Sequence, residues 1–413
     1  MSQIECTDED NIIAALDRPD RVSVVSLLLT GRQLRKMVTV MQQPFPSLRH
    51  LFLEAYKSNE LDVPALPSEF LGRSAPHLQT IELDGIPFPS LPALLLTSAD
   101  LVTLHLVNIP QTGYIPPEAM VAALATLGRL EDLRFAFLSP ASCPDQIRLL
   151  PIARSVLPAL TSFEFRGVRG YLEDFMARID APRLHTIWIY YFDQLVDFEV
   201  PQLCRFIDNS EVNRPSHCSV HFQHSLISFG AGPTIVSFGA GPTTHTRESK
   251  FYDVFPRHIV VRILCEGMDL QVSHLAQTLD QISVILSNVV HFVIGYNSIS
   301  PEPEGMDNIE WLQLLRPFSS VRTLFVSRDF AGHVSRSLDN ITAVMATEVL
   351  PALKMLCLEG EPPSSDHKFI ATRSESGRPV LVVNTQREFQ EGLKMYLGDL
   401  YRGDLETVSY ILE

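Results

Sequence analysis

The chain has no C-x-x-C pair, no long run of Lys or Arg, and no apolar stretch long enough to span a bilayer. Each absence removes a class of protein. Six cysteines (Cys6, Cys143, Cys204, Cys218, Cys265 and Cys357) scattered over 413 residues fit neither a zinc ribbon nor a disulfide scaffold. They are expected to be reduced and mostly buried, in a cytoplasmic or nuclear protein. A formal charge of −15 gives no general attraction for phosphate backbones, so nucleic acid is not an expected partner. Without a long apolar run, no membrane partner is expected. The opening MSQIECTDEDN lacks a basic stretch followed by an apolar one, so no secretory signal is expected. Aromatics are only 8% of the residues, which makes the expected core mainly aliphatic.

Motifs for chemistry are missing too. Neither G-x-S-x-G nor H-E-x-x-H occurs, and no compact acid–base cluster is present. The chain is therefore not expected to be an enzyme, and no cofactor or metal is expected.

What is there is a repeat. An apolar residue, two variable residues, an apolar one, a variable one and a final apolar one recur along most of the chain, often after Pro. The copies are PSLRHLFL (46–53), PHLQTIEL (76–83), ADLVTLHL (99–106), GRLEDLRF (128–135), PALTSFEF (158–165) and PRLHTIWI (182–189). They continue as SNVVHFVI (287–294), SSVRTLFV (319–326) and PALKMLCL (351–358). The closing alternation reads as a short strand, and the apolar residue three positions earlier turns the chain into it. One such unit cannot bury its apolar face alone, so neighbours must stack. Between the copies, residues 116–130, 170–182, 268–286 and 308–318 space apolar residues as helices do.

The fold class expected is α/β: a curved leucine-rich-repeat solenoid, with parallel strands on the concave face and helices on the convex face. The repeats are irregular, because Ile86 and Ile109 stand where a ladder asparagine is usual. The expected organisation is an acidic N-terminal segment over 1–20 and the solenoid over 21–385. A Gly/Pro-rich loop bulges from it at 225–249, and an amphipathic terminal helix or cap follows over 386–413. That tail spaces Phe389, Leu393, Tyr396, Leu397 and Leu400 helically. One more strand is expected over 378–384.

Three local features compete for a functional reading. Ser228-Phe-Gly-Ala-Gly-Pro-Thr234 returns unchanged as Ser237–Thr243. It lacks the Lys-Ser/Thr of a phosphate loop and the aspartates of a calcium roll, so it reads as a duplicated surface loop. "HCSVHFQHS" carries His217, His221 and His224. On a helix they would share a face as metal ligands do. The alternation Cys218, Val220, Phe222 instead favours a strand. Strand alternation along the repeats points Phe52, Glu82, His105, Arg134, Glu164, Trp188, Val293, Phe325 and Cys357 to the concave face. Tyr190 shares the side of Trp188. From these, Phe52, Glu82, His105, Arg134, Glu164, Trp188, Tyr190 and Phe325 are the expected protein-binding residues, since large aromatics anchor interfaces. The alternative is a solvated sheet face with no specific partner.

Four stretches, EDNIIAALDRPDRV (9–22), QQPFPSLRHLFLE (42–54), NIEWLQLLRPFSSVRTLFVS (308–327) and TEVLPALKMLCLEG (347–360), resemble the F-box-like leucine-rich-repeat proteins of mushroom-forming fungi. In that family an N-terminal F-box bundle docks on the Skp-type adaptor of a cullin–RING ubiquitin ligase, and the repeats are taken to select substrate. This chain opens at the stretch that normally follows the F-box, so adaptor binding is not expected of it. The resemblance implies a substrate-recognition repeat region; the alternative is a repeat-only scaffold with no role in ubiquitin ligation.

Overall fold

A computed structural model of the chain describes residues 9–56, 63–142, 153–192, 199–210, 215–222, 226–232, 258–264, 268–281, 283–296, 308–359 and 368–385. The strands, in chain order, are β1 (Val24–Leu29), β2 (His50–Ala55), β3 (Thr80–Asp84), β4 (Thr103–Ile109), β5 (Asp132–Phe137), β6 (Ser155–Val156), β7 (Ser162–Gly167) and β8 (Ile179–Asp180). They continue as β9 (Thr186–Tyr191), β10 (His217–Phe222), β11 (Leu226–Gly232), β12 (His258–Leu264), β13 (His291–Tyr296), β14 (Thr323–Val326), β15 (Met355–Glu359) and β16 (Leu381–Thr385). The α-helices are α1 (Glu9–Leu16), α2 (Gly31–Val40), α3 (Leu91–Leu95), α4 (Pro117–Leu124), α5 (Arg169–Arg178) and α6 (Pro201–Asp208). After them come α7 (Met268–Gln281), α8 (Ser283–Leu286), α9 (Asn308–Leu315), α10 (Arg328–Asp339), α11 (Ala343–Glu348) and α12 (Lys368–Glu375).

The chain is α/β, with helices and parallel sheets and no closed barrel among the described residues. It divides into two compact units. The first holds residues 1–194, 200–213 and 257–264; the second holds the rest. In the first, strands run in the order β1-β2-β3-β4-β5-β7-β9-β12, every neighbouring pair parallel. Its helices pack in succession, α1 on α2, α3 on α4, α4 on α5 and α5 on α6. In the second unit the order is β11-β10-β13-β14-β15-β16. There β10 and β11 form an antiparallel pair, and the other neighbours are parallel.

The repeated sequence pattern has a direct structural meaning. In the first six copies the first apolar residue closes a tight turn. Leu48 N–H donates to Phe45 O, Leu78 to Ala75, Leu101 to Ser98, Leu130 to Leu127, Leu160 to Leu157 and Leu184 to Ala181. Each of these leucines is fully buried, as are the two inward residues of the strand that follows. That geometry is why apolar residues are required at these three positions and nowhere else in the copy. In place of an asparagine ladder, the backbone itself spans the repeats at the strand entrance. Gln79 N–H donates to Arg49 O at 2.8 Å, Val102 to Gln79 at 2.8 Å, Glu131 to Val102 at 2.8 Å, Thr161 to Glu131 at 2.9 Å and His185 to Thr161 at 2.8 Å. The same device recurs in the second unit, where Val290 donates to Ser216, Arg322 to Val290 and Lys354 to Arg322, each at 2.8 Å.

All four helices expected from periodicity are present, and residues 381–385 form the last strand. Strand β1 and helices α2, α6, α10, α11 and α12 were not foreseen. Thr30 starts α2 with a reciprocal cap: its Oγ1 accepts from Gln33 N–H, and its own N–H donates to Gln33 Oε1 at 2.9 Å. At 225–249 the expected bulge begins instead as strand. Leu226–Gly232 absorbs most of the first SFGAGPT copy and pairs with β10, with Ala231 turned inward and buried. The second copy and the tail 386–413 lie outside the described residues.

Candidate functional site

Parallel register puts the outward residue of each strand beside that of the next. Ser26, Phe52, Glu82, His105, Arg134, Glu164 and Trp188 are successive cross-strand partners from β1 to β9. At ~4.8 Å per strand, Phe52 and Trp188 stand ~24 Å apart along one row. From Phe52 to Trp188 each side chain is half-buried, flanked by its neighbours but open above.

The middle of the row is a fixed charge network. His105 Nδ1 lies 3.4 Å from Glu82 Oε1, and its Nε2 lies 2.9 Å from Asp132 Oδ2. Both ring nitrogens thus face carboxylates, which suits the doubly protonated imidazolium. Burial disfavours that charge, but hydrogen bonds to Asp132 and Glu82 outweigh it and push the His105 pKa up to about 9. Arg134 Nη2 pairs with Glu164 Oε1 at 2.7 Å. Burial raises the Glu164 pKa, and the charges of Arg134 and His105 oppose that rise. The Nε of Arg134 is buried and meets no hydrogen-bond acceptor among the described residues.

Aromatic groups stand at both ends. At the β2 end Phe52 stacks on His50, ring centroids 6.3 Å apart, and His50 Nδ1 meets Thr80 Oγ1 at 3.1 Å. At the β9 end Trp188 is followed two residues on by Tyr190, the cross-strand partner of Arg166. The Arg166 guanidinium lies 5.3 Å from the Tyr190 ring and 5.1 Å from that of Phe192, while the two rings meet edge to face. Arg166 thus carries a positive charge on an aromatic platform beside the row.

Seven of the eight sequence-predicted residues therefore fall on one face of the first unit. Phe325 does not. It belongs to the second unit and is only 5% exposed, packed with Val293, Met355 and Cys357. Alternation gave its side of the strand correctly, but both sides of β14 are buried. Asp132, Arg166 and Phe192 were missed as site residues. The signal for the first two was available, because each stands two positions from a predicted residue, Arg134 or Glu164, on the same strand and so on the same face.

The histidine-rich stretch is a strand, and His217 is buried. Its ring stacks on that of His291 at 4.7 Å, and its Nδ1 meets Ser216 Oγ at 2.8 Å. Burial, with His217 and Arg322 nearby, lowers the His291 pKa to about 4. His224 lies outside the described residues. Among the described residues no three His, Cys, Asp or Glu side chains converge as metal ligands. Cys204, Cys218 and Cys357 are free and buried, and burial pushes all three thiols up, Cys204 and Cys357 to about 12, which favours the protonated form. No helix among the described residues is long and apolar enough to cross a membrane. No protein-family model matches the chain, and no curated protein matches it.

Proposed function

We propose that this chain is a non-catalytic protein-interaction module: a leucine-rich-repeat solenoid that reads a partner with the Phe52–Trp188 row. The observation that carries this reading is the row itself. Six successive strands each contribute one half-buried side chain, with charges already paired and aromatic groups at both ends. Prepaired charges need little reordering when a partner arrives, and half-buried aromatics lose little side-chain entropy. Among the described residues the buried thiols, the stacked His217–His291 pair and the ion-paired carboxylates offer no activated nucleophile, which favours binding over chemistry.

The resemblance to F-box-like repeat proteins makes the partner a protein selected for ubiquitin ligation. Affinity capture on the purified chain tests both parts. Capture of a discrete partner, lost in Trp188→Ala while the unfolding midpoint stays unchanged, is the expected result. Equal capture by wild type and Trp188→Ala would remove the proposed anchor. A Skp-type adaptor and cullin bound together with that partner in cells support the ligase role. Their absence assigns the chain to the repeat-only scaffolds.

A further inference from the structure

On the outward face of the first unit, His105 is paired with Asp132 and Glu82, and Arg134 with Glu164. Arg166, two residues beyond Glu164 on β7, is treated differently. Among the described residues it donates no hydrogen bond and meets no carboxylate. Aromatic rings hold it instead: its guanidinium lies 5.3 Å from the Tyr190 ring and 5.1 Å from the Phe192 ring. All three side chains are half-buried. The rings displace water from the guanidinium and return only the partial negative charge of their faces. Its cross-strand neighbour on the other side is Ala136, whose methyl group offers no acceptor. The Arg166 Nε is buried without an acceptor, so it is the Nη end that a partner meets. A guanidinium fixed in place, partly dry and without a counter-charge is arranged for an anion from outside the chain.

We infer that Arg166 takes a carboxylate from the partner, an Asp or Glu side chain in an extended peptide segment, gripped by its Nη pair. The inference rests on the reading of the Phe52–Trp188 row as the recognition face and adds one subsite to it. Charge fixes the chemistry. The neighbouring cations His105 and Arg134 are already neutralised, which leaves one positive charge to be matched by one negative charge. A phosphate, with close to two negative charges, calls for a second free cation and would lie near Glu164 on the same strand. Spacing fixes the motif. Tyr190 follows Trp188 by two residues on β9, and Arg166 follows Glu164 by two on β7, so the platform stands ~6.6 Å from the row along the strands. An extended peptide repeats its side chains on one face at that same interval. A side chain packed on Trp188 therefore sets the residue two positions away over Arg166. The motif is an apolar residue, any residue, then Asp or Glu, in either chain direction. The charge of −15 repels acidic surfaces in general, so this contact selects a short motif and not an acidic protein.

Selection from a phage-displayed library of random peptides on the immobilised full chain should return Asp or Glu two positions from an aromatic or aliphatic residue. Fluorescence anisotropy with one selected peptide then isolates the contact. Exchanging its acid for the amide should weaken binding about tenfold, Arg166→Gln should weaken it equally, and the two changes together no further. Arg166→Glu should reject that peptide and accept one with Arg in place of the acid. The amide peptide leaves the protein native, so it decides where an Arg166 substitution loosens the fold. An amide peptide that binds as tightly as the acid would overturn the inference, as would a phosphoserine peptide that binds more tightly than its Glu counterpart. Peptides that need Trp188 and ignore Arg166 would sink this subsite and leave the row standing. Peptides indifferent to both residues would remove the row as well. A library that returns no peptide would remove recognition of an extended segment, and the capture assay above would still judge the row.

Discussion

At the residue scale the site depends on charges that are set by their neighbours. His105 keeps its positive charge at neutral pH because two carboxylates share its ring. Its pKa in the folded chain is above the ordinary 6.5, at about 9. The stabilisation it brings is therefore complete below about pH 6.5 and is lost as the pH rises through about 9. Unfolding midpoints of wild type and His105→Gln should converge across that window, and an NMR titration should place the imidazole near the upper end. A midpoint difference that does not change with pH would contradict the pairing. Glu173 is a second residue that acts through its surroundings. It is 2% exposed, and its Oε2 and Oε1 accept from the backbone N–H groups of Gln202 at 2.9 Å and Leu203 at 3.1 Å, at the start of α6. Glu173→Ala leaves the buried Leu203 N–H and the half-buried Gln202 N–H without this acceptor and should cost about 1–3 kcal/mol in chemical unfolding. Glu173→Gln keeps one acceptor oxygen and should cost less. Equal costs would show that the cap is not what the carboxylate supplies.

At the element scale the repeat was legible because its physics is local. Leu160 recurs as Leu48, Leu78, Leu101, Leu130 and Leu184, and each closes the same turn in the same buried place. Leu160→Ala should cost about 2–5 kcal/mol, measured by denaturant unfolding. A cost below about 1 kcal/mol would mean that neighbouring repeats do not share one core there. Alternation also identified the row from Phe52 to Trp188, since register follows once neighbouring strands are parallel. Arg328–Asp339 was missed although Phe330, Val334 and Leu338 fall at i, i+4 and i+8, one short helical stripe among polar residues, and all three pack inward. The rest was not local. Nothing in Thr323–Val326 says that both of its faces are buried. Strand β11 was hidden by the glycines of SFGAG, which read as loop until β10 supplies the pairing.

At the scale of the whole molecule, two units built from one repeat use the same sheet face differently. The first presents paired charges and aromatic groups; the second closes an apolar row. On the function proposed above, that division assigns partner recognition to the first unit. The most direct measurement is the affinity of one captured partner for a set of variants along and away from the row. Phe52→Ala, Arg134→Ala and Trp188→Ala lie on it. Leu96→Ala and Arg129→Ala, whose side chains are exposed outside it, serve as controls. The account predicts that Trp188→Ala weakens binding at least tenfold, about 1.4 kcal/mol, with smaller losses at Phe52 and Arg134 and none at the controls. Equal affinity across all five variants would contradict it.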